Sequence, residues 1–283
     1  MVLHGHFQQQ TDSTGQQKKI NMANLQVSTM ADYMANGEKP DVLFWVGCAG
    51  SFDDRAKKIT RAFAKILNKV GAKYAVLGQE ESCTGDPAKR AGNEFLFQMQ
   101  AMMNIQVLNG YGVQKIVTAC PHCFNTLKNE YPELGGKYEV VHHTQFIQEL
   151  LDSGKLSVQG GDFKGKKITY HDPCYLGRAN DVYDAPRSLI EKLDTELSEM
   201  KRSRKKGLCC GAGGAQMFKE AESGDKEINI ERIEEALEMS PSIIATGCPF
   251  CNTMLTDGVK LKNRSREVKV MDLAELVAKA ADL

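Results

Sequence analysis

Nine cysteines carry the chemistry that can be read first in this 283-residue chain. As thiolates they are nucleophiles and soft-metal ligands. Cys48, Cys83, Cys120 and Cys123 lie in the first half. Adding 126 to the first two gives Cys174 and Cys209, and adding 128 to the other two gives Cys248 and Cys251. The flanking residues repeat as well: Cys83-Thr84-Gly85 answers Cys209-Cys210-Gly211, and Cys120-Pro121-His122-Cys123 answers Cys248-Pro249-Phe250-Cys251. Thr84 stands opposite Cys210, the one cysteine without a partner. A repeat that preserves distances between remote thiols implies one fold used twice, each copy gathering its sulfurs at one point.

Cys248-Pro249-Phe250-Cys251 follows an apolar run and opens a helix, where proline fits the first turn because its missing donor would be unpaired anyway. Thiolates there gain from free backbone donors and the positive end of the helix dipole. Structural zinc closes its shell with four ligands, whereas Cys174, Cys209, Cys210, Cys248 and Cys251 offer five. The fifth sulfur favours an iron-sulfur centre. The four thiols of the first half suit a four-cysteine cluster or a tetrahedral zinc. The glycines of Gly211-Ala212-Gly213-Gly214 let the backbone approach a bulky group and aim N–H donors at it.

Elements must position these loops. Asp41 to Val46 reads as a buried strand, Arg55 to Val70 as an amphipathic helix stopped by Gly71, and Lys73 to Leu77 as a strand. A helix from about Gly92 to Leu108, a strand Lys115 to Ala119, a helix from Cys120-Pro121, a strand Tyr138 to Val141 and a helix Thr144 to Leu151 complete the half. The second half restarts with strand Lys167 to His171, helix Ala185 to Leu193, helix Lys226 to Met239, strand Ser242 to Thr246, a helix from Pro249, strand Glu267 to Val270 and a helix from Asp272. Alternation of this kind predicts an α/β protein of two tandem duplicated domains with largely parallel sheets and metal sites at the carboxyl ends of the strands. The expected boundaries are a disordered tail and lead-in over 1–39, a first domain over 40–152, a linker over 153–166 and a second domain over 167–283.

Net charge is zero, with 36 basic and 36 acidic residues, which gives no ground for nucleic-acid binding. The first thirty residues hold neither a secretion signal nor a spanning segment, so a cytoplasmic protein without direct membrane insertion is expected. Met22 or Met30 are alternative starts. An odd number of cysteines without an export signal weighs against a disulfide framework. His4 and His6 in the polar tail are read as solvated. His122 and His171 could tune a cluster or deliver a proton, His171 being the candidate proton donor, although each is more simply a histidine satisfying local backbone groups. His142 and His143 carry a weaker case still. The basic run Lys201 to Lys206 could dock an acidic partner or offset a cluster's charge, and is more simply a solvated face. No glycine-rich nucleotide motif is present, so flavin or nicotinamide binding by this chain lacks support.

At Cys174, Cys209-Cys210-Gly211 and Cys248-Pro249-Phe250-Cys251 the chain resembles the cysteine-rich CCG domain family, which includes the B and D subunits of heterodisulfide reductase and the iron-sulfur subunits of lactate and glycolate oxidases. The resemblance covers about residues 40 to 280. It implies a [4Fe-4S] centre, non-cubane in heterodisulfide reductase, held by Cys174, Cys209, Cys210, Cys248 and Cys251. The first half departs from the pattern at Thr84, leaving Cys48, Cys83, Cys120 and Cys123 for a second [4Fe-4S] cluster or zinc.

The resulting expectation is an oxidoreductase subunit that passes electrons between a flavoprotein, ferredoxin-like or other iron-sulfur partner and an acceptor, as a relay or by direct disulfide reduction at the cluster. The rivals are a zinc-stabilised scaffold without redox chemistry and a thiol-disulfide oxidoreductase using free CxxC pairs.

Overall fold

The computed structural model describes residues 25–220 and 223–283. Its strands form two four-stranded sheets of the same plan. The first contains β1 (Val42–Trp45), β2 (Tyr74–Ala75), β3 (Lys115–Thr118) and β4 (Glu139–His142) in the order β2-β1-β3-β4. The second contains β5 (Lys167–His171), β6 (Glu196–Leu197), β7 (Ile243–Thr246) and β8 (Lys269–Asp272) in the order β6-β5-β7-β8. Every pairing is parallel. Central strands β1 and β7 are buried at every position, as continuous apolar runs covered by helices on both faces should be. Two-residue strands β2 and β6 blunt one edge of each sheet.

This order matters for the site. The chain leaves β1 for β2 on one side and then returns to β3 on the other, so a crevice opens at the carboxyl ends of β1 and β3. Cys48 and Cys120 follow those two strands, and Cys174 and Cys248 follow β5 and β7.

Most helices fall within a few residues of their predicted spans, including Ala56–Lys69, Glu94–Gly110, His143–Asp152, Asp184–Glu191, Ile228–Glu238, Pro249–Leu261 and Leu273–Ala280. Apolar spacing explains why: Ile59, Phe63, Ile66 and Leu67 form one buried stripe of the first of these. Other elements had weak signals. Cys48 sits in a short helix, Gly47–Phe52, rather than a turn, and Gly47 at φ 77° opens it. A short helix Asp86–Arg90 follows Gly85, and a π-helical turn covers Thr126–Glu130.

Of the expected tail, residues 1–24, with His4, His6 and Met22, lie outside the described residues. The part that follows is packed: helix Met30–Ala35 is closed by a Thr29/Asp32 capping box, and Met30 is buried. The segment expected as a linker places Leu156 and Phe163 in the core.

The halves meet across a seam that is itself core. One apolar cluster joins Val42, Phe63 and Ile147 of the first half to Ile168, Ile190, Met271 and Leu276 of the second. The packing is reciprocal, helix 56–69 lying on helix 273–280 while helix 143–152 lies on helix 184–191. No helix among the described residues is long and apolar enough to cross a membrane.

Candidate metal centres

In the second half the five sulfurs converge from three loops. Cys248 is the N-cap of helix Pro249–Leu261, which places Cys251 in the first turn. The Cys251 thiol donates to Cys210 Sγ at 3.3 Å, and Cys174, Cys209 and Cys248 join the same sulfur network. Gly211 N–H donates to Cys209 Sγ at 3.3 Å, which needs the left-handed backbone, φ 91°, that glycine supplies. Sulfur-to-sulfur hydrogen bonds and burial push the thiols of Cys174, Cys210 and Cys251 up, while the donors Cys174 and Cys210 pull Cys209 down. Sulfurs this crowded cannot all ionise beside one another, and a cationic centre removes that conflict.

The first half repeats the arrangement with four sulfurs. Cys120 caps helix Pro121–Asn125 and Cys123 lies in its first turn. Cys48 donates to Cys83, whose thiol is lowered to about 6 mainly by that bond, and Gly85 N–H adds a contact at 3.5 Å. A Cβ on Gly47 would stand 3.3 Å from Cys123 Sγ, so the backbone there is shaped around the sulfur. Thr84 Oγ1 lies 4.0 Å from Cys123 Sγ, on the side where Cys210 contacts Cys251 in the other half.

These donor sets fit iron-sulfur groups. Soft thiolates surround each point, backbone N–H groups face sulfur, and His171, beside Cys210 and Cys251, keeps a buried Nε2 without a partner among the described residues, as Trp45 Nε1 does at the end of β1. His171, Cys210 and Cys251 each place a ligating atom within 4.8 Å of the others.

The other histidines separate clearly. His122 is buried at the seam, its Nδ1 2.9 Å from Asp86 Oδ2 and its ring packed on Tyr175 and on Phe250, its own counterpart in the repeat. Burial opposes its charge, but Asp86 and the nearby Cys120 and Cys248 prevail and raise it to about 9. A crevice of about 10 Å³ lies here, lined by Asp86, His122, Ala212, Met217, Phe218 and Phe250. His142 and His143 lie behind the centres, fully buried: His143 Nε2 meets Asp272 Oδ1 across the seam at 2.9 Å, and its Nδ1 meets His142 Nε2 at 3.2 Å. The basic run is largely paired within the molecule, Arg202 with Glu231 and Glu235, Arg204 with Asp184, and Lys205 with Asp181.

Sequence reasoning missed Asp86, Glu81 and Arg232. Glu81 accepts from the backbone N–H groups of Val46 and Gly47, opening the helix that carries Cys48, and burial raises it to about 7. Only the fold reveals these contacts. Arg232, however, sits where the repeat places Asn104, and that offset was readable.

Known proteins bear on this geometry. The cysteine-rich domain designated CCG matches residues 42–128 and again residues 168–256. The probable iron-sulfur-binding oxidoreductase FadF of Bacillus subtilis is 46% identical over 258 residues, 91% of this chain and 36% of that protein. The EtfAB:quinone oxidoreductase of Syntrophomonas wolfei is 43% identical over 87% of this chain and 35% of its own length. One of the subunits of the dihydromethanophenazine:CoB--CoM heterodisulfide reductase of Methanosarcina barkeri is 35% identical over 87% of this chain and 60% of its own length. This chain therefore spans about a third of the first two relatives and under two thirds of the third. With its motif matched twice and each match closing on one set of sulfurs, the chain belongs to the CCG cysteine-rich domain family.

Proposed function

We propose that this chain is the iron-sulfur component of an oxidoreductase, carrying electrons between a flavoprotein or iron-sulfur partner and an acceptor in the cytoplasm. The observation that carries the reading is the second half's five-sulfur set, one more than a tetrahedral zinc takes up. Relatives named as iron-sulfur oxidoreductases and as part of a heterodisulfide reductase support it. Cys174, Cys209, Cys210, Cys248 and Cys251 would hold a [4Fe-4S] group, cubane or non-cubane, and Cys48, Cys83, Cys120 and Cys123 a second such group or zinc. The bound group supplies one-electron chemistry. The chain's own residues bury Cys120, Cys123, Cys210, Cys248 and Cys251 and supply N–H donors to Cys83 and Cys209.

A second reading, reduction of a disulfide at the site, is favoured by the Asp86–His122 pair, whose imidazole lies close to cysteines of both halves, Cys120 and Cys248. His122, held by Asp86 at 2.9 Å, is placed to hand a proton to a leaving sulfur. His171, by contrast, accepts a hydrogen bond from Arg232 at Nδ1, which a protonated ring could not do, and burial and Arg232 drive it well below its ordinary value.

The deciding experiment is iron, sulfide and zinc content with the visible spectrum, on protein purified without oxygen, for the wild type and Cys210→Ser. Iron with matching sulfide is expected, and less of both in the variant. Zinc alone would overturn the proposal and leave a scaffold.

A further inference from the structure

His171 ends β5 three residues before Cys174, and it is 1% exposed. Its Nδ1 accepts a hydrogen bond from Arg232 Nε at 3.0 Å. A neutral imidazole has one N–H and one acceptor nitrogen, so an accepting Nδ1 places the proton on Nε2. That Nε2 is buried and has no partner among the described residues. The ring nevertheless lies beside the sulfurs of Cys210 and Cys251, one of its nitrogens and both Sγ atoms falling within 4.8 Å of one another. An orphaned N–H on a buried ring beside two sulfurs is the arrangement expected of a donor whose acceptor belongs to a bound group.

Arg232 is an equally unusual residue to bury. It is 0% exposed, on the inner face of helix Ile228–Glu238. One terminal nitrogen is held by Glu235 and by the carbonyl of Arg202, each at 2.9 Å, while Nη2 is buried with no partner among the described residues. Hydrogen bonds to the sulfurs of a cluster, and positive charge near it, favour the reduced form, which carries one more negative charge.

The repeat provides an internal control. Adding 128 to the buried positions Ala101, Asn104, Ile105 and Leu108 gives the buried positions Asn229, Arg232, Ile233 and Ala236. Asn104 is neutral, and its amide is occupied by the Cys83 carbonyl, Tyr131 and Ser82. Adding 126 to Trp45 gives His171, so the first half has an indole N–H at the end of its strand and the neutral Asn104 at the position of Arg232.

We infer that Arg232 is a positioning residue that locks His171 as a fixed Nε2–H donor to the sulfurs of the second centre, and that the pair raises the reduction potential of that centre. This rests on the iron-sulfur reading above and assigns His171 a tuning role in place of proton delivery.

The test uses the full chain, matured with iron without oxygen, in potentiometric titrations followed by visible and electron-paramagnetic-resonance spectra. In His171→Leu and Arg232→Met, with iron retained, the reduced-to-oxidised ratio of the second centre at a fixed applied potential should fall at least tenfold, equal to about 59 mV for one electron. His171→Gln, which restores an N–H at similar reach, should recover part of the loss. Loaded variants whose ratio matches the wild type would overturn the inference while leaving the iron-sulfur reading intact. Where a variant does not load, electron-nuclear double resonance on the wild type decides: a strongly coupled exchangeable proton, with nitrogen coupling from ¹⁵N-histidine, is expected, and its absence overturns the inference. Zinc without iron in the wild type would remove the reading on which it rests.

Discussion

Where the first half has Trp45, Thr84 and Asn104, the second has His171, Cys210 and Arg232 at the equivalent positions. The sheets, the strand order and the helix-opening CxxC are shared, and the substitutions lie at the end of the first strand of each half, in the loop that carries Cys83 or Cys209, and on the helix that follows it. Outside the sites the halves diverge further. Helix Glu94–Gly110 leaves Phe95, Met99, Met102 and Met103 exposed, whereas Ile228–Glu238 presents Glu231 and Glu234, paired with Lys226 and Lys262. Duplication thus preserved what builds a sulfur-collecting edge, while each copy was free to change what the edge holds and what the outside shows.

Exchanging the key pair tests this contrast most severely. Cys210→Thr combined with Thr84→Cys should move the five-sulfur set to the first half. Electron paramagnetic resonance should then show the wild-type signal of the second centre lost, with a changed signal from the first. An unaltered spectrum would mean that the Cys-Cys pair does not set the difference between the halves.

A smaller effect is expected at the glycines after these residues. Gly85 and Gly211 share the left-handed conformation, with φ 87° and 91°. A Cβ at Gly85 would meet the Phe97 ring at 2.8 Å and its backbone at 3.2 Å, while the nearest atom at Gly211 is 3.4 Å away. Gly85→Ala should therefore cost about 2–4 kcal/mol in urea unfolding and Gly211→Ala about 1–2. Equal losses would show that the first loop yields as easily as the second.

The smallest effect concerns pH. Burial raises Asp272 to about 8, so the native state keeps a proton that the unfolded chain releases near 3.8, and stability falls as pH rises between these values. His143, lowered to about 3 by burial, acts in the opposite direction up to about 6.5. Between about 6.5 and 8, therefore, Asp272 contributes an unopposed fall of at most about 1.4 kcal/mol per pH unit, on top of the fall that His122, raised to about 9, contributes in the same direction. Asp272→Asn should lessen the slope in urea titrations across that window, whereas an unchanged slope would place its origin elsewhere.

Much of this was legible because periodicity and spacing are local or repeated. The stripe Ile59, Phe63, Ile66 and Leu67 announces its helix, and the offsets of 126 and 128 identify both sulfur sets before any fold is known. What escaped depends on contacts between remote segments. Glu81 caps a helix 34 residues earlier, Asp86 orients His122 from 36 residues away, and Arg232 reaches His171 across 61. Helix Gly47–Phe52 was hidden for another reason: Gly-Cys-Ala-Gly-Ser has poor helix propensity, and packing against helix 56–69 holds it.

The buried chain of His142, His143 and Asp272 restricts how such a protein can be assembled. His142 and Asp272 occupy equivalent places at the ends of β4 and β8, and the counterpart of His143 is Leu273. A self-paired dimer of second halves would set Asp272 against leucine, a carboxyl sealed from water without its imidazole. A dimer of first halves would bring His143 against histidines with no carboxyl between them. Each half fits the other better than it fits itself, so fusion in one polypeptide secures a heterologous pairing that two identical ancestors would have had to form without this contact.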